Sequence, residues 1–396
     1  MHALPQDHTG VRIARLRRER HLTQQALSDL SGVPYNTLTK IEQNRLDATP
    51  HAVACLARAM RVEVSTIMGQ PYKDDLRADE LDVLIGPIRE ALDIYDLGAD
   101  PDVTARPLPV LREESEALCK AVRAGEIKRV ASEVAGLIEE TTTAAHTGGG
   151  SDGWLVLASL YRTSYDVATK LGYADLAQLS LARLDWAAQR ASDAVFGGAY
   201  QYFRALTYLR EGKLRTGQRL IDLGLRTIEQ ASPSRAQEVV KGQLHLGGSV
   251  MAGRAHNEDQ AMGHLKEAGR IARRIGESPE VLWMAFGETN VGVHRVSVLA
   301  ELDKYEKAVE TADTLTIPSD WPKSRTSHHW AEVARSQMWM GKLESSFASL
   351  LKARKTAPQQ AKYHPTVRET YAGLEAAHRR LPDTFLSYGS WLTSQA

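Results

Sequence analysis

The sequence predicts an all-α chain of two unequal parts, a five-helix N-terminal domain followed by a solenoid of stacked helical hairpins. Three observations predict it. Residues 10 to 69 hold five short apolar periodicities of helical spacing, broken by Gly32 and Pro34. From residue 110 onward apolar residues recur at helical spacing, with short turns and no convincing alternating strand. In that second part a plan of helix, glycine turn, helix and break recurs at a spacing of about 34 to 40 residues, as between Gly172 and Gly212.

Composition limits the function classes. The 396 residues are 43% hydrophobic and 25% charged, with 49 basic residues balancing 49 acidic ones, which suits a globular protein of two or three domains. The first twenty residues carry Arg12, Arg15, Arg17, Arg18 and Arg20 and no apolar segment, so no secretion signal is read. No later run reaches the roughly 18 apolar residues of a membrane span. Cys55 and Cys119 are far apart and have no CxxC or His cluster beside them, which argues against a disulfide framework or a zinc site. A reducing cytoplasm is the expected location. HExxH and Walker patterns are missing, and the glycines of residues 148–153 follow no strand and precede no phosphate-binding Lys, so neither catalysis nor a cofactor is expected. "HTGGGSDG" (146–153) is read as a flexible inter-helix loop, and the adjacent His328 and His329, about 100° apart on a helix, do not make a metal site.

Charge is unevenly spread. Residues 1 to 70 hold nine Arg/Lys against six Asp/Glu, a local balance of +3, while the segment just after is acidic and would repel a polyanion. A boundary near Pro71 follows, with a first domain over residues 10–69. Within it, Val11, Ile13, Ala14 and Leu16 predict a first helix. Thr23 is an N-cap for a second, whose apolar stripe is Ala26, Leu27 and Leu30 and which ends at Gly32. Pro34 starts a third with Leu38 and Ile41 buried. Val53, Leu56, Ala57 and Met60, then Val64 and Ile67, mark two more.

The run "LTQQALSDLSGVPYNTLTKIEQN" resembles the second and third helices of the lambda-repressor/Cro, or XRE, family of helix-turn-helix regulators. One departure is Asn44, where that family usually has glycine; Asn tolerates the left-handed turn next best. The resemblance implies duplex DNA as partner, with the third helix in the major groove and Tyr35, Asn36, Thr39 and Lys40 against base edges. Arg17, Arg18, Gln24, Gln25, Asn44 and Arg45 are the expected phosphate contacts. A single module of this size implies a homodimer on a pseudo-palindromic operator.

Residues 70 to 109 are read as a linker. Leu81, Leu84, Ile85, Ile88 and Leu92 share one helical face, Gly86-Pro87 is expected to kink that helix, and Pro101, Pro107 and Pro109 mark an extended connector. The stripe either docks on the next domain or pairs with a second subunit.

The repeats, over 110 to 390, include 160–193, 200–233 and 328–360, with turns at "LGY", "EGK" and "MGK", and less regularly 299–315; five or six hairpins are expected. They resemble tetratricopeptide repeats, and the segment 286–313 with its continuation is similar to the C-terminal half of XRE regulators of the actinobacterial type. The layout is also like that of peptide-responsive regulators, in architecture only. If "FGETNVGVHRVSV" is helical, Phe286, Asn290, His294 and Ser297 lie near one face with Arg295 beside them, an effector candidate able to bond a peptide backbone and a carboxylate. Two readings stay open: a regulator sensing a peptide or small molecule, and one docking a partner protein such as a small antagonist.

Overall fold

The computed structural model of the chain describes residues 8–69, 78–377 and 382–393. Among them are 21 α-helices and no strand, with one isolated β-bridge between Ser278 and Phe286. The N-terminal domain comprises α1 (Thr9–Glu19), α2 (Gln24–Ser31), α3 (Tyr35–Glu42), α4 (Pro50–Met60) and α5 (Val64–Ile67). Thr23 caps α2 by accepting a hydrogen bond from the Ala26 N–H at 3.0 Å. Gly32 ends it at φ +74°, and Asn44 takes the left-handed turn after α3 at φ +55°. Ile13, Leu27, Leu38, Ile41, Leu56 and Ile67 meet in the domain's core. Val11 and Leu30, read above among the apolar residues that mark α1 and α2, are 41% and 63% exposed, because these short helices bury only a narrow face.

The boundary at Pro71 lies outside the described residues, as does the side chain of Leu81. Beyond them α6 (Ala78–Asp93) runs as one helix through Pro87, the residue expected to kink it. Ile85, Ile88 and Leu92 are buried in the main core, and α6 packs on the second and fourth helices that follow it.

Six antiparallel hairpins come next: α7 (Leu108–Ala124) with α8 (Ile127–His146), α9 (Gly150–Leu171) with α10 (Ala174–Ala191), α11 (Ala194–Arg210) with α12 (Leu214–Ile228), α13 (Arg235–Arg254) with α14 (Glu258–Ile275), α15 (Glu288–Glu301) with α16 (Tyr305–Thr314), and α17 (Lys323–Trp339) with α18 (Leu343–Thr356). The C-terminal helices α19 (Pro358–Tyr363), α20 (Pro365–Ala377) and α21 (Asp383–Thr393) cap the stack. Gly172, Gly212 and Gly341 hold the three tight turns read from the sequence at φ of +85°, +68° and +73°. The loop expected at 146–153 is a close turn instead. Gly150 already opens α9, and a Cβ on Gly153 would stand 3.1 Å from the Cα of Ala145.

The stack closes on itself. The α7–α8 turn reaches α19, where the Lys128 N–H donates to Gln359 Oε1 at 3.1 Å, and Lys170 of α9 donates to Gln360 Oε1 at 2.6 Å. Gln360 in turn donates to the carbonyl of Ser324 on α17 at 2.7 Å. Closure converts the concave groove of a solenoid into a central cavity. Over its mouth sits the N-terminal domain: a hydrogen bond links His51 of α4 to the Arg254 carbonyl at 3.1 Å, Glu63 pairs with Lys213 at 3.7 Å, and Arg12 pairs with Glu369 of α20 at 3.3 Å. Ala54 of α4 lies against Gly212 so closely that a Cβ there would come within 2.4 Å of its methyl.

Candidate nucleic-acid interface and central cavity

One face of helix α3 is open to solvent. Tyr35, Asn36 and Lys40 are exposed along its outer face, while Leu38 and Ile41 are buried on the other. Thr39 is half-buried, and its hydroxyl has no hydrogen-bond partner within the protein. Arg18, Asn44 and Arg45 are exposed beside this face, and so is Gln25, whose amide donates to Asp29 Oδ1 at 2.8 Å. That leaves a surface of amide, hydroxyl, phenol and ammonium groups around a helix of about major-groove width.

Two expected phosphate contacts are placed otherwise. The Arg17 guanidinium forms a two-pronged pair with Glu42, at 2.6 and 2.8 Å, and also donates to the Leu22 carbonyl at 2.8 Å. Its hydrogen bonds to Glu42 raise its pKa further. Gln24 donates to the same Glu42 carboxylate at 2.8 Å. Glu42, which sequence reasoning passed over, thus ties α1 and α2 to the end of α3 and sets the angle at which the outer face is presented. Only the pairing of Glu42 with residues 18 and 25 positions away reveals this, and a charge on a short helix carries no such signal.

The effector face expected around Asn290 also divides. Phe286 is not helical: α15 begins at Glu288, and the Phe286 ring lies fully buried on Gly242, where a Cβ would come within 2.1 Å of it. Asn290 is fully buried, with its amide donating to Gln243 Oε1 at 3.2 Å and its own carbonyl oxygen unpartnered. Arg295 is exposed on the outer side of α15. His294 alone of the four lines the central cavity, with Ser297 and Glu301 below it at i+3 and i+7.

That cavity, about 480 Å³, is walled by concave stripes from several helices. One wall is apolar and aromatic, with Tyr202, Phe203, Leu206 and Val250. The N-terminal domain supplies another part through Pro50, Val53, Ala54, Val64 and Met68. The remainder is charged, and its two ends differ. At one end Glu301 accepts from Arg254 at 2.7 Å and from Arg335 at 3.5 Å, and Arg335 also pairs with Glu332 at 2.5 Å. Burial pushes the Glu301 carboxyl up, but the two guanidiniums outweigh it and hold it at about 2.

At the other end Arg162, Asp166 and Lys170 follow one another at i, i+4 and i+8 on α9, opposite Arg123 of α7 and Arg325 of α17. Asp166 is paired with Arg123 at 2.8 Å and Arg162 at 3.4 Å. Burial, with the positive charge of Arg123, Arg325 and Arg210 around it, brings the Lys170 ammonium down to about 7, although Asp166 opposes the shift. His294, His328 and His364 stand beside this cluster, with His328 and His364 in contact at 2.9 Å. Burial first, then neighbouring positive charge for His294 and His328 and the adjacent His328 ring for His364, holds all three at about 3, so they are neutral at pH 7. Among the described residues no group of three His, Cys, Asp or Glu is arranged to hold a metal.

Residues 13–67 match the model of a helix-turn-helix family. They form an XRE-type helix-turn-helix domain, the fold of a DNA-binding regulator with duplex DNA as partner. No curated protein matches the chain. No helix among the described residues is long and apolar enough to cross a membrane.

Proposed function

We propose that this protein is a cytoplasmic, sequence-specific transcription regulator in which a small molecule or peptide held in the central cavity controls the DNA binding of a homodimer. The observation that carries the reading is the double use of the cavity. Its wall includes α4 and the α4–α5 segment of the very domain whose α3 faces outward, so an occupant touches the DNA-binding domain directly. A ligand that prefers one seating of that domain shifts DNA affinity by its differential binding, typically 1–3 kcal/mol. A concave, half-open cavity of this size suits a diffusible ligand better than a docked protein. The helical domain, read as tetratricopeptide-like and of the kind found in actinobacterial XRE regulators, serves in this reading as sensor and dimer scaffold. Since Ile85, Ile88 and Leu92 are spent on docking α6, the dimer contact is assigned to the outer faces of the hairpins.

The test starts from a duplex selected out of a random-sequence pool by the whole protein. Asn36→Ala and Lys40→Ala are expected to lose roughly 1–3 kcal/mol on that duplex and little on random DNA. Arg18→Ala and Arg45→Ala should weaken both alike, each lowering the salt slope by up to ~0.9. Equal losses on selected and random DNA for Asn36→Ala would remove the base-reading role, and a monomer in sedimentation both free and on DNA would remove the dimer.

A further inference from the structure

We infer that the α9–α17 end of the cavity is a binding site for a multiply charged oxyanion, carried by a small molecule whose apolar body lies along the Tyr202–Phe203 wall toward the helix-turn-helix domain. This deepens the sensing role proposed above and rests on it for its regulatory meaning, though the site itself is argued from its charges and unpartnered donors.

The two ends of the cavity make the comparison. Where Glu301 and Glu332 meet Arg254 and Arg335, two carboxylates answer two guanidiniums. Where Arg123, Arg162, Arg325 and Lys170 converge, Asp166 is the one carboxylate within ion-pair distance among the described residues. Among the described residues the Arg325 guanidinium has a single hydrogen bond, to the Met284 carbonyl at 3.3 Å, and the Lys170 ammonium is bonded only to the neutral amide of Gln360. Arg162 is 3% exposed, yet its Nε has no partner, and neither do the buried Nε of Arg123 and the hydroxyl of Thr169 on the same wall. Buried charge without a counter-ion is unfavourable, and buried donors without acceptors add to it. An entering oxyanion removes both penalties together: guanidinium forks and an ammonium supply donors to several oxygens at once. His294 already donates from Nδ1 to the Asn290 carbonyl at 2.8 Å, but one N–H of the His328–His364 pair and one of the Gln360 amide can donate further hydrogen bonds without adding charge. A singly charged or neutral ligand would leave the excess in place, which is the reason for assigning a phosphate-type or polycarboxylate group.

Phosphate-type and carboxylate sources share this chemistry, and separate titrations distinguish them. The whole protein is titrated with pyrophosphate, with inorganic phosphate and with citrate at matched ionic strength against chloride, following heat and melting temperature. Saturable binding of at least one multivalent anion, with a rise in melting temperature, is the expected result; the preference among the three names the source. Arg325→Gln and Lys170→Gln should each weaken that binding about 10-fold or more, the loss of a hydrogen bond to a charged group. Arg295→Gln, on the outer side of α15, should leave it unchanged. Because each cavity variant removes uncompensated charge, the unliganded melting temperature should stay the same or rise. No saturable binding of any of the three, or equal affinity in both cavity variants, overturns the anion site. Anion binding without any change in affinity for the selected duplex would uphold the site and overturn the regulatory reading. A duplex response to a neutral ligand, with no anion bound, would do the reverse.

Discussion

At the scale of single residues, the side chains that matter most are those whose charge is answered by a distant partner, or by none. Glu42 is answered twice, by Arg17 and Gln24, and so acts as a strut for α3 rather than as repulsion toward DNA. Replacing Arg17 therefore disturbs the presentation of α3 as well as charge. Lys170 is the opposite case. With its ammonium held at about 7 by burial and by Arg123, Arg325 and Arg210, it is largely discharged at pH 8. An anion bound beside it favours the charged form and raises that value. Binding of pyrophosphate at pH 8 is accordingly expected to take up close to one proton, read from calorimetry in two buffers of different ionisation enthalpy. Lys170→Gln should abolish the uptake; an uptake that persists would place the proton on another group.

At the scale of elements, the seat of α4 on the α11–α12 turn couples the two parts of the molecule. Gly212 is needed there twice, for its φ of +68° and for the room it leaves Ala54. Gly341 at the α17–α18 turn has a similar φ, +73°, but nothing within 4 Å of where a Cβ would lie. Valine at either site strains the turn by about 1 kcal/mol or more. Only Gly212→Val should also unseat α4, seen as loss of amide-exchange protection in α4 with the rest of the N-terminal core retained. Equal loss in Gly341→Val would mean that the seat does not depend on this contact. The linker stripe shows how elements escape sequence reading. Ile85, Ile88 and Leu92 are legible as one apolar face, but the choice between docking and pairing depends on α8 and α10, which begin at Ile127 and Ala174, far along the chain.

For the molecule as a whole, closure of the stack buries ionisable groups whose titration ties stability to pH. His294, His328 and His364 are held at about 3 in the folded chain, against about 6.5 when unfolded. Between those values the unfolded state binds more protons, so stability falls as pH drops below about 6.5, by up to ~1.4 kcal/mol per histidine per pH unit. Glu301, held at about 2, works in the same direction below about 4.5. Melting temperature is expected to fall clearly from pH 7.5 to 5.5, and His364→Gln, which keeps a hydrogen-bonding side chain there, should flatten the fall. A pH-independent melting temperature over that range would contradict the burial of this histidine group.

Local chemistry was enough for the sequence to determine the helices of the first domain, the glycine turns of the hairpins and the outward set on α3. A cap, a left-handed turn or an apolar stripe is specified within a few residues. Which side of a helix faces a cavity is not specified locally, because it depends on where the stack closes. That is why Asn290 and Phe286, read as sharing one helical face with His294, are packing groups against Gln243 and Gly242. It is also why the α9 stripe of Arg162, Asp166 and Lys170 went unread, since charges at i, i+4 and i+8 look like a solvated face until α17 and α19 cover them. Only the tertiary structure brought Arg123 and Arg325 onto that stripe. An excess of buried charge is a property of several helices meeting, and no single segment of the chain contains it.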